Sequence, residues 1–406
     1  MITTIIPIKD ICVGIYDGPH ATPPAANSGG VFLGISNITK DGHLDLSNIK
    51  YISEEYLPKW TKRVTPQEGD IVFSYEATLN LYAIIPKNFY GCLGRRMALI
   101  RTDNNKVNNK FLFYYFFSKK WRDVVAEHTI TGSTVDRIPI TTFPGFPIEL
   151  PSLETQHRIA YTLSRYDSLI VNYQKQIKLL EEAAQRLYKE WFVNLRFPGH
   201  ENTKIVDGVP EGWEKKKLSE TCSLISSGST PSRRNASYWN NGIIKWVKTK
   251  ELQDSWILDT EEHITKEGLE GSSTKMFPVN TILMAIYASP TLGRLGVLAT
   301  ECCCNQAALG FVTDNSIVSW QWLYMKLFEL RCEFNAVARG AGQQNISGVV
   351  VKEWEIVVPN KDMINRFTKL IAPIFENKKS LSIQLRLLTE SRDRLLPKLL
   401  SGEIEV

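Results

Sequence analysis

PSLETQHRIAYTLSRYDSLIVNYQKQIKLLEEAAQRLYKEW, residues 151–191, carries apolar or small side chains at Ile159, Leu163, Tyr166, Ile170, Tyr173, Ile177, Leu180, Ala184, Leu187 and Trp191. The gaps between them alternate four and three without a break. A 3.5-residue period held over this length predicts a helix with a coiled-coil seam, narrower than the apolar stripe of a globular surface helix. The pattern returns at Phe367, Ile371, Ile374, Lys378, Leu381, Leu385, Leu388, Arg392, Leu395 and Leu399. Lys378 and Arg392 break this second seam, and Pro373 removes a backbone donor near its start, so the second helix is expected to kink or restart there. Two seams in one chain can bury each other as an antiparallel pair.

Outward from the helices, sliding the chain by about 208 to 210 residues superimposes its halves. Ile8-Lys9-Asp10-Ile11-Cys12 answers Leu218-Ser219-Glu220-Thr221-Cys222, and Gly18 answers Gly228. GDIVFSYEATL at 69–79 answers NTILMAIYASP at 280–290, and MALIRTDN at 97–104 answers AALGFVTDN at 307–315. These β-branched and aromatic runs read as buried strands. Helical segments at 110–128 and 321–338 follow, then glycine-containing loops TGSTVDRI and RGAGQQNI, then short strands ending at Pro151 and Pro359. The expected fold is α+β: two tandem globular domains at 1–150 and 197–358, the latter including a Pro/Gly-rich linker, alternating with helical regions at 151–196 and 359–406. Nearly 40 residues of helix span roughly 55 to 60 Å, so an antiparallel pair would hold two globular units at the ends of a stiff rod.

Composition narrows the class. The chain is 43% hydrophobic and 22% charged with a net charge of +5, which permits a partnership with phosphates without demanding one. No apolar run reaches membrane-spanning length and the N-terminus does not read as a signal peptide, so a cytoplasmic protein is expected. Seven cysteines include no C-x-x-C pair, and Cys302-Cys303-Cys304 reads as buried strand rather than a metal or redox site. The chain has no Walker A loop, dinucleotide fingerprint, H-E-x-x-H, G-x-S-x-G or Asn/Asp-Pro-Pro-aromatic motif.

The ensemble resembles the specificity subunits of type I restriction-modification systems. The matching residues are PSLETQHRIAYTLSRYD at 151–167, LYKEWFVNLRFPGHE at 187–201, PEGWEKKKLSE at 210–220 and the C-terminal LLPKLLSGEIEV, and the likeness covers essentially the whole chain. It implies two target-recognition domains and two helical spacers in a non-catalytic subunit. Such a subunit reads an asymmetric bipartite target in double-stranded DNA and directs adenine methylation and restriction, as in phage defence. Two methylation subunits and the restriction subunits are the implied partners. S-adenosylmethionine, ATP and magnesium would belong to them, with no cofactor and no metal in this chain. The helical pair would set the length of the unread spacer between the two parts of the target.

Candidate DNA contacts follow from the repeat. Aligning Ala98-Leu99 with Ala308-Leu309 sets Arg95 and Arg96 opposite Asn305 and Gln306; arginine suits guanine O6 and N7, while Asn and Gln suit adenine N6 and N7. The same residues also fit the solvated side of a strand. His20, Thr22, Ser133, Thr134, Arg233, Arg234, Gln343 and Gln344 lie in small, polar, glycine-flanked loops suited to close approach to a duplex, and equally to ordinary turns. Arg294 and Arg339 are candidates for phosphate, whereas Lys215-Lys216-Lys217 reads as a solvated run. Tyr188, Trp191 and Phe192 fit either a partner surface or packing against the adjacent domain.

Overall fold

The computed structural model describes residues 2–132, 135–287, 291–338 and 345–406. One compact unit comprises Met1–Val171 with Leu387–Val406, the other Asn172–Arg386. The first contains β1 (Thr3–Pro7), β2 (Cys12–Asp17), β3 (Gly30–Leu33), β4 (Tyr51–Ile52), β5 (Ile71–Ser74), β6 (Tyr82–Ile84), β7 (Gly91–Leu93), β8 (Met97–Thr102) and β9 (Pro147–Pro151). Helices α1 (Leu57–Trp60), α2 (Asn109–Tyr115), α3 (Lys119–His128) and the start of α4 (Leu153–Tyr188) accompany them.

Strands β2-β8-β5-β6 form one sheet and β4-β3-β7 another. The last strand, β9, runs antiparallel to β1, pairing Thr3 with Pro151, and delivers the chain to α4. Ile71 and Phe73 of β5 point into a core with Trp121, Phe143 and Phe146, while Val72 between them joins Leu33, Ala83 and Leu99 in a second cluster. Both faces of the strand are covered, so its sequence is an unbroken apolar run rather than an alternation. The buried Trp121 indole donates to the Tyr82 hydroxyl at 2.8 Å, which satisfies a donor that would otherwise be costly.

The second unit repeats this plan. Its strands are β10 (Ile205–Val206), β11 (Val209–Pro210), β12 (Glu214–Lys217), β13 (Cys222–Ser227), β14 (Ile244–Val247), β15 (Ser255–Ile257), β16 (Glu262–Ile264), β17 (Ile282–Ala285), β18 (Leu295–Leu298), β19 (Cys303–Cys304), β20 (Ala308–Thr313) and β21 (Glu355–Val358). Helices α5 (Lys266–Glu270), α6 (Trp320–Glu329), α7 (Arg331–Ala338) and α8 (Gly348–Lys352) accompany them. The sheets run β13-β20-β17-β18-β15 and β16-β14-β19, and β12 pairs with β21 as β1 does with β9. Cys303 and Cys304 form the short β19 beside Trp246 and Val247, fully buried, with burial pushing both thiols up to about 12. The triplet is strand, as its setting suggested.

The final helix, α9 (Lys361–Ser401), runs without interruption through Pro373, so it does not restart there. Proline frees the carbonyl four residues earlier. That residue, Lys369, and Pro373 itself both lie on the exposed side of the helix, where the freed group faces solvent rather than core. In the first unit, Ile159 and Leu163 near the start of α4 share a core with Leu395 and Leu399 near the end of α9. In the second, Ala184 and Tyr188 near the end of α4 share a core with Phe367 and Ile371 near the start of α9. The seams therefore meet antiparallel within each unit.

The two residues that interrupt the second seam find acids on the first helix. Lys378 Nζ lies 2.6 Å from Glu181 Oε1 in the second unit, and Arg392 Nη1 lies 2.9 Å from Asp167 Oδ1 in the first. After Tyr188 the chain makes one π-helical turn, Lys189–Val193, and Trp191 and Phe192 pack against Phe367 in the second unit's core. Tyr188 is buried there too, its hydroxyl donating to Glu329 at 2.7 Å. These aromatics are committed to packing. Among the described residues no helix is long and apolar enough to cross a membrane.

Gly18 and Gly228 follow β2 and β13 at matching places. An added Cβ would meet the Gly94 carbonyl oxygen at 2.4 Å and the Cys304 carbonyl oxygen at 1.9 Å, so only glycine lets the backbones approach this closely. Gly228→Ala is expected to lower unfolding stability by about 1–3 kcal/mol, because a backbone oxygen cannot yield cheaply. Gly145→Ala, whose added Cβ meets nothing within 4 Å, should stay within about 0.5 kcal/mol of the parent. Denaturant unfolding of the two variants checks the contrast, and equal effects would refute the close approach.

Candidate nucleic-acid interface

Four segments converge at one edge of the main sheet in each unit. In the first they are the loop after β2, the end of β5, the turn between β7 and β8, and the chain flanking residues 133–134. Gly18 N donates to Met97 O at 2.8 Å, Tyr75 N to Arg96 O at 3.2 Å, and Ile138 N to Tyr75 O at 2.7 Å. The second unit repeats these bonds: Gly228 N donates to Ala308 O at 3.2 Å, Ile286 N to Ala307 O at 2.9 Å, and Ile346 N to Ile286 O at 3.0 Å. Neighbouring strand ends thus position one loop cluster per repeat.

The matched bonds correct the alignment of the turns by one residue. Gly94 N donates to Leu33 O as Asn305 N does to Val247 O, so Gly94 corresponds to Asn305, Arg95 to Gln306 and Arg96 to Ala307. Arg95 and Arg96 therefore do not stand opposite Asn305 and Gln306. The similar pairs Ala98-Leu99 and Ala308-Leu309 suggested an offset of 210, whereas β5 pairing Ile71 with Ile100 and β17 pairing Ile282 with Phe311 fix it at 211 in these strands.

The first unit's edge is charged. His20 Nε2 lies 3.1 Å from Asp17 Oδ2, and Asp17 also accepts from Arg63. Thr22 and Arg95 are exposed. Arg96, held in a left-handed conformation at φ 71°, faces Glu76 at 3.4 Å. At the centre, Tyr75 is buried against the His20 ring edge, and burial pushes its phenol up to about 12, with Asp17 and Glu76 adding to the shift and Arg63 and Arg95 opposing it. Ser133 and Thr134 lie outside the described residues, while their flank Arg137 bridges to both Ile130 and Glu76.

Among the described residues, the second unit's strand ends carry neutral side chains where the first has charged ones. Thr230 donates to Gln306 Oε1 at 2.5 Å, and the Asn305 amide oxygen is buried with no hydrogen-bond partner among the described residues. Ser227, Tyr287 and Ala307 stand where the first repeat has Asp17, Glu76 and Arg96. Arg233 is engaged within its unit: its guanidinium stacks 3.6 Å from the Trp239 ring centroid and bonds Glu262 at 2.5 Å. That bond holds the Glu262 carboxyl below its usual range. Arg234 is exposed, and half-buried Arg294 bonds through its backbone to Ala285 at 2.9 Å. Arg339, Gln343 and Gln344 lie outside the described residues.

Sequence reasoning missed Asp17, Arg63, Tyr75, Glu76 and the Trp239–Glu262 clamp on Arg233. Asp17 and Arg63 are 46 residues apart, and only folding joins them. Glu76 carried a usable signal, as an acid at the end of an apolar strand. Among the described residues no group of three or more His, Cys, Asp or Glu is arranged to hold a metal ion.

Known proteins share this sequence and plan. A family described as the type I restriction modification DNA specificity domain matches residues 19–182 and 210–386. The chain is 26% identical over 379 residues to the type I restriction enzyme MjaIX specificity subunit of Methanocaldococcus jannaschii, covering 89% of this chain and 85% of that one. It is 25% identical over 430 residues to the HindI specificity subunit of Haemophilus influenzae, covering 89% and 91%. Its fold resembles that of the type I restriction-modification S subunit from M. genitalium, with a TM-score of 0.62 and 15% identity over 98% of this chain and 96% of that one. With both repeats matched by the same family, this chain belongs to the type I restriction-modification DNA specificity subunits.

Proposed function

We propose that each repeat reads one part of an asymmetric bipartite DNA target and that the chain directs adenine methylation and restriction by partner subunits without catalysis of its own. The observation that carries this reading is the loop cluster built twice by matching hydrogen bonds and furnished differently each time. A shared scaffold with diverged edges suits two half-sites of different sequence. Arg95 and Arg96 suit guanine, carboxylates such as Glu76 suit the cytosine N4 amino group, and Gln306 suits adenine. Two methylation subunits bind the chain, and restriction subunits join them. S-adenosylmethionine, ATP and magnesium serve those partners, consistent with the absence of catalytic motifs from the sequence.

Residue substitutions separate the half-sites. Arg95→Ala is expected to relax base choice in one half of the methylated motif and leave the other intact, and Gln306→Ala should do the converse, each costing about 1–3 kcal/mol of discrimination. Mapping methylated adenines in cells that express the variant chain with its methylation subunit reads the outcome. Relaxation of both halves by either change would contradict the assignment.

Arg233→Ala removes a clamp rather than a reader. It should lower thermal stability, with about 0.5–1 kcal/mol lost per stacked ring, and leave the methylated motif unchanged. A changed motif at unchanged stability would instead make Arg233 a base contact.

A further inference from the structure

The repeat relation that aligns Pro151 with Pro359 also aligns the two long helices, so each ion pair between them can be compared with its counterpart. With this offset of 208, Asp167 corresponds to Phe375 and Arg392 to Ala184. Where the first unit has Asp167 against Arg392, the second therefore has Phe375 and Ala184, both buried. Likewise Glu181 corresponds to Thr389 and Lys378 to Ile170. Neither ion pair has a charged counterpart; both acids come from α4 and both bases from α9.

We propose that these pairs make the helices an acid–base lock: α4 accepts α9, from its own chain or another copy, and neither helix accepts a copy of itself. Pairing α4 with α4 in the same antiparallel register would set Asp167 against Ala184 and Glu181 against Ile170. Pairing α9 with α9 would set Arg392 against Phe375 and Lys378 against Thr389. Each arrangement takes from these charges their partner on the facing helix, Arg392 keeping only Asp393 of its own helix, and so costs more than the paired state. Lys378 and Arg392 have side chains only 7% and 11% exposed, so water relieves little of that cost. A buried polar residue at a seam is a recognised means of fixing register and partner.

Side-chain volume points the same way. The first unit's core takes Leu399 from the end of α9, whereas the second takes Trp191 from the corresponding place beyond α4. Self-pairing of α4 would drive Trp191 into a site packed around leucine, with Tyr188 separated from Glu329.

The test uses the whole chain, cut once. Asp207 and Gly208 form the exposed turn of the β10–β11 hairpin, at φ 51° and 75°, where a protease recognition sequence can be inserted. Two lots of cleaved chain carrying different mass tags are mixed, equilibrated and weighed by native mass spectrometry. Every complex should contain one amino-terminal and one carboxy-terminal piece, in all tag combinations. Complexes of two like pieces in comparable abundance would overturn the lock, as would pieces that separate on cleavage. In the uncut chain, Asp167→Arg with Glu181→Lys should lower Tm by about 10 °C or more; adding Lys378→Glu and Arg392→Asp should restore most of it. Failure of the fourfold reversal to recover any Tm would also contradict the proposal.

Discussion

The largest hydrophobic core of each unit is completed by a helix end belonging to the other repeat, and the rest of the architecture depends on that exchange. Leu399 and Leu400 of α9 are buried beside Phe111 and Trp121 of the first repeat, while Tyr188 and Trp191 are buried beside Trp322 and Phe367 of the second. A recognition domain that borrows part of its core cannot be perfected independently of its partner repeat. Burial of apolar side chains, aliphatic at the helix ends of the first core and aromatic in the second, favours this packing, and the two ion pairs choose between otherwise similar seams. The hydrophobic contacts make association favourable; the charges make it selective.

Periodicity made the helices legible and self-similarity made the domains legible, because both signals repeat over many residues. Single residues were harder. Lys378 and Arg392 read as faults in the seam because their counterions, Glu181 and Asp167, lie on another helix about two hundred positions away in the chain. Pro373 suggested a restart that the helix does not make, because sequence alone does not say whether a freed carbonyl meets solvent or core. The slip of one residue between Arg95-Arg96 and Asn305-Gln306 came from matching similar letters where strand pairing, not similarity, sets the equivalence.

The candidate interface was legible as loops but not as an electrostatic arrangement. His20, Arg95 and Arg96 do gather at one sheet edge, yet the acids among them, Asp17 and Glu76, change what the edge offers: donors and acceptors together rather than a basic patch. On the proposed reading, such an edge discriminates by hydrogen-bond pattern more than by bulk attraction, consistent with a net charge of only +5 across the chain. The edge of the second repeat, with Thr230 holding Gln306, offers different chemistry on the same scaffold. On the proposed reading, different loop residues carried on a shared strand arrangement alter what each repeat reads.

The most direct test of the central claim is to express the partner methylation subunit with and without this chain in a host lacking adenine methylation and to sequence the methylated adenines genome-wide. The account predicts one two-part motif, modified on both strands, that disappears when the chain is omitted. Methylation that persists with the same motif in its absence would contradict it.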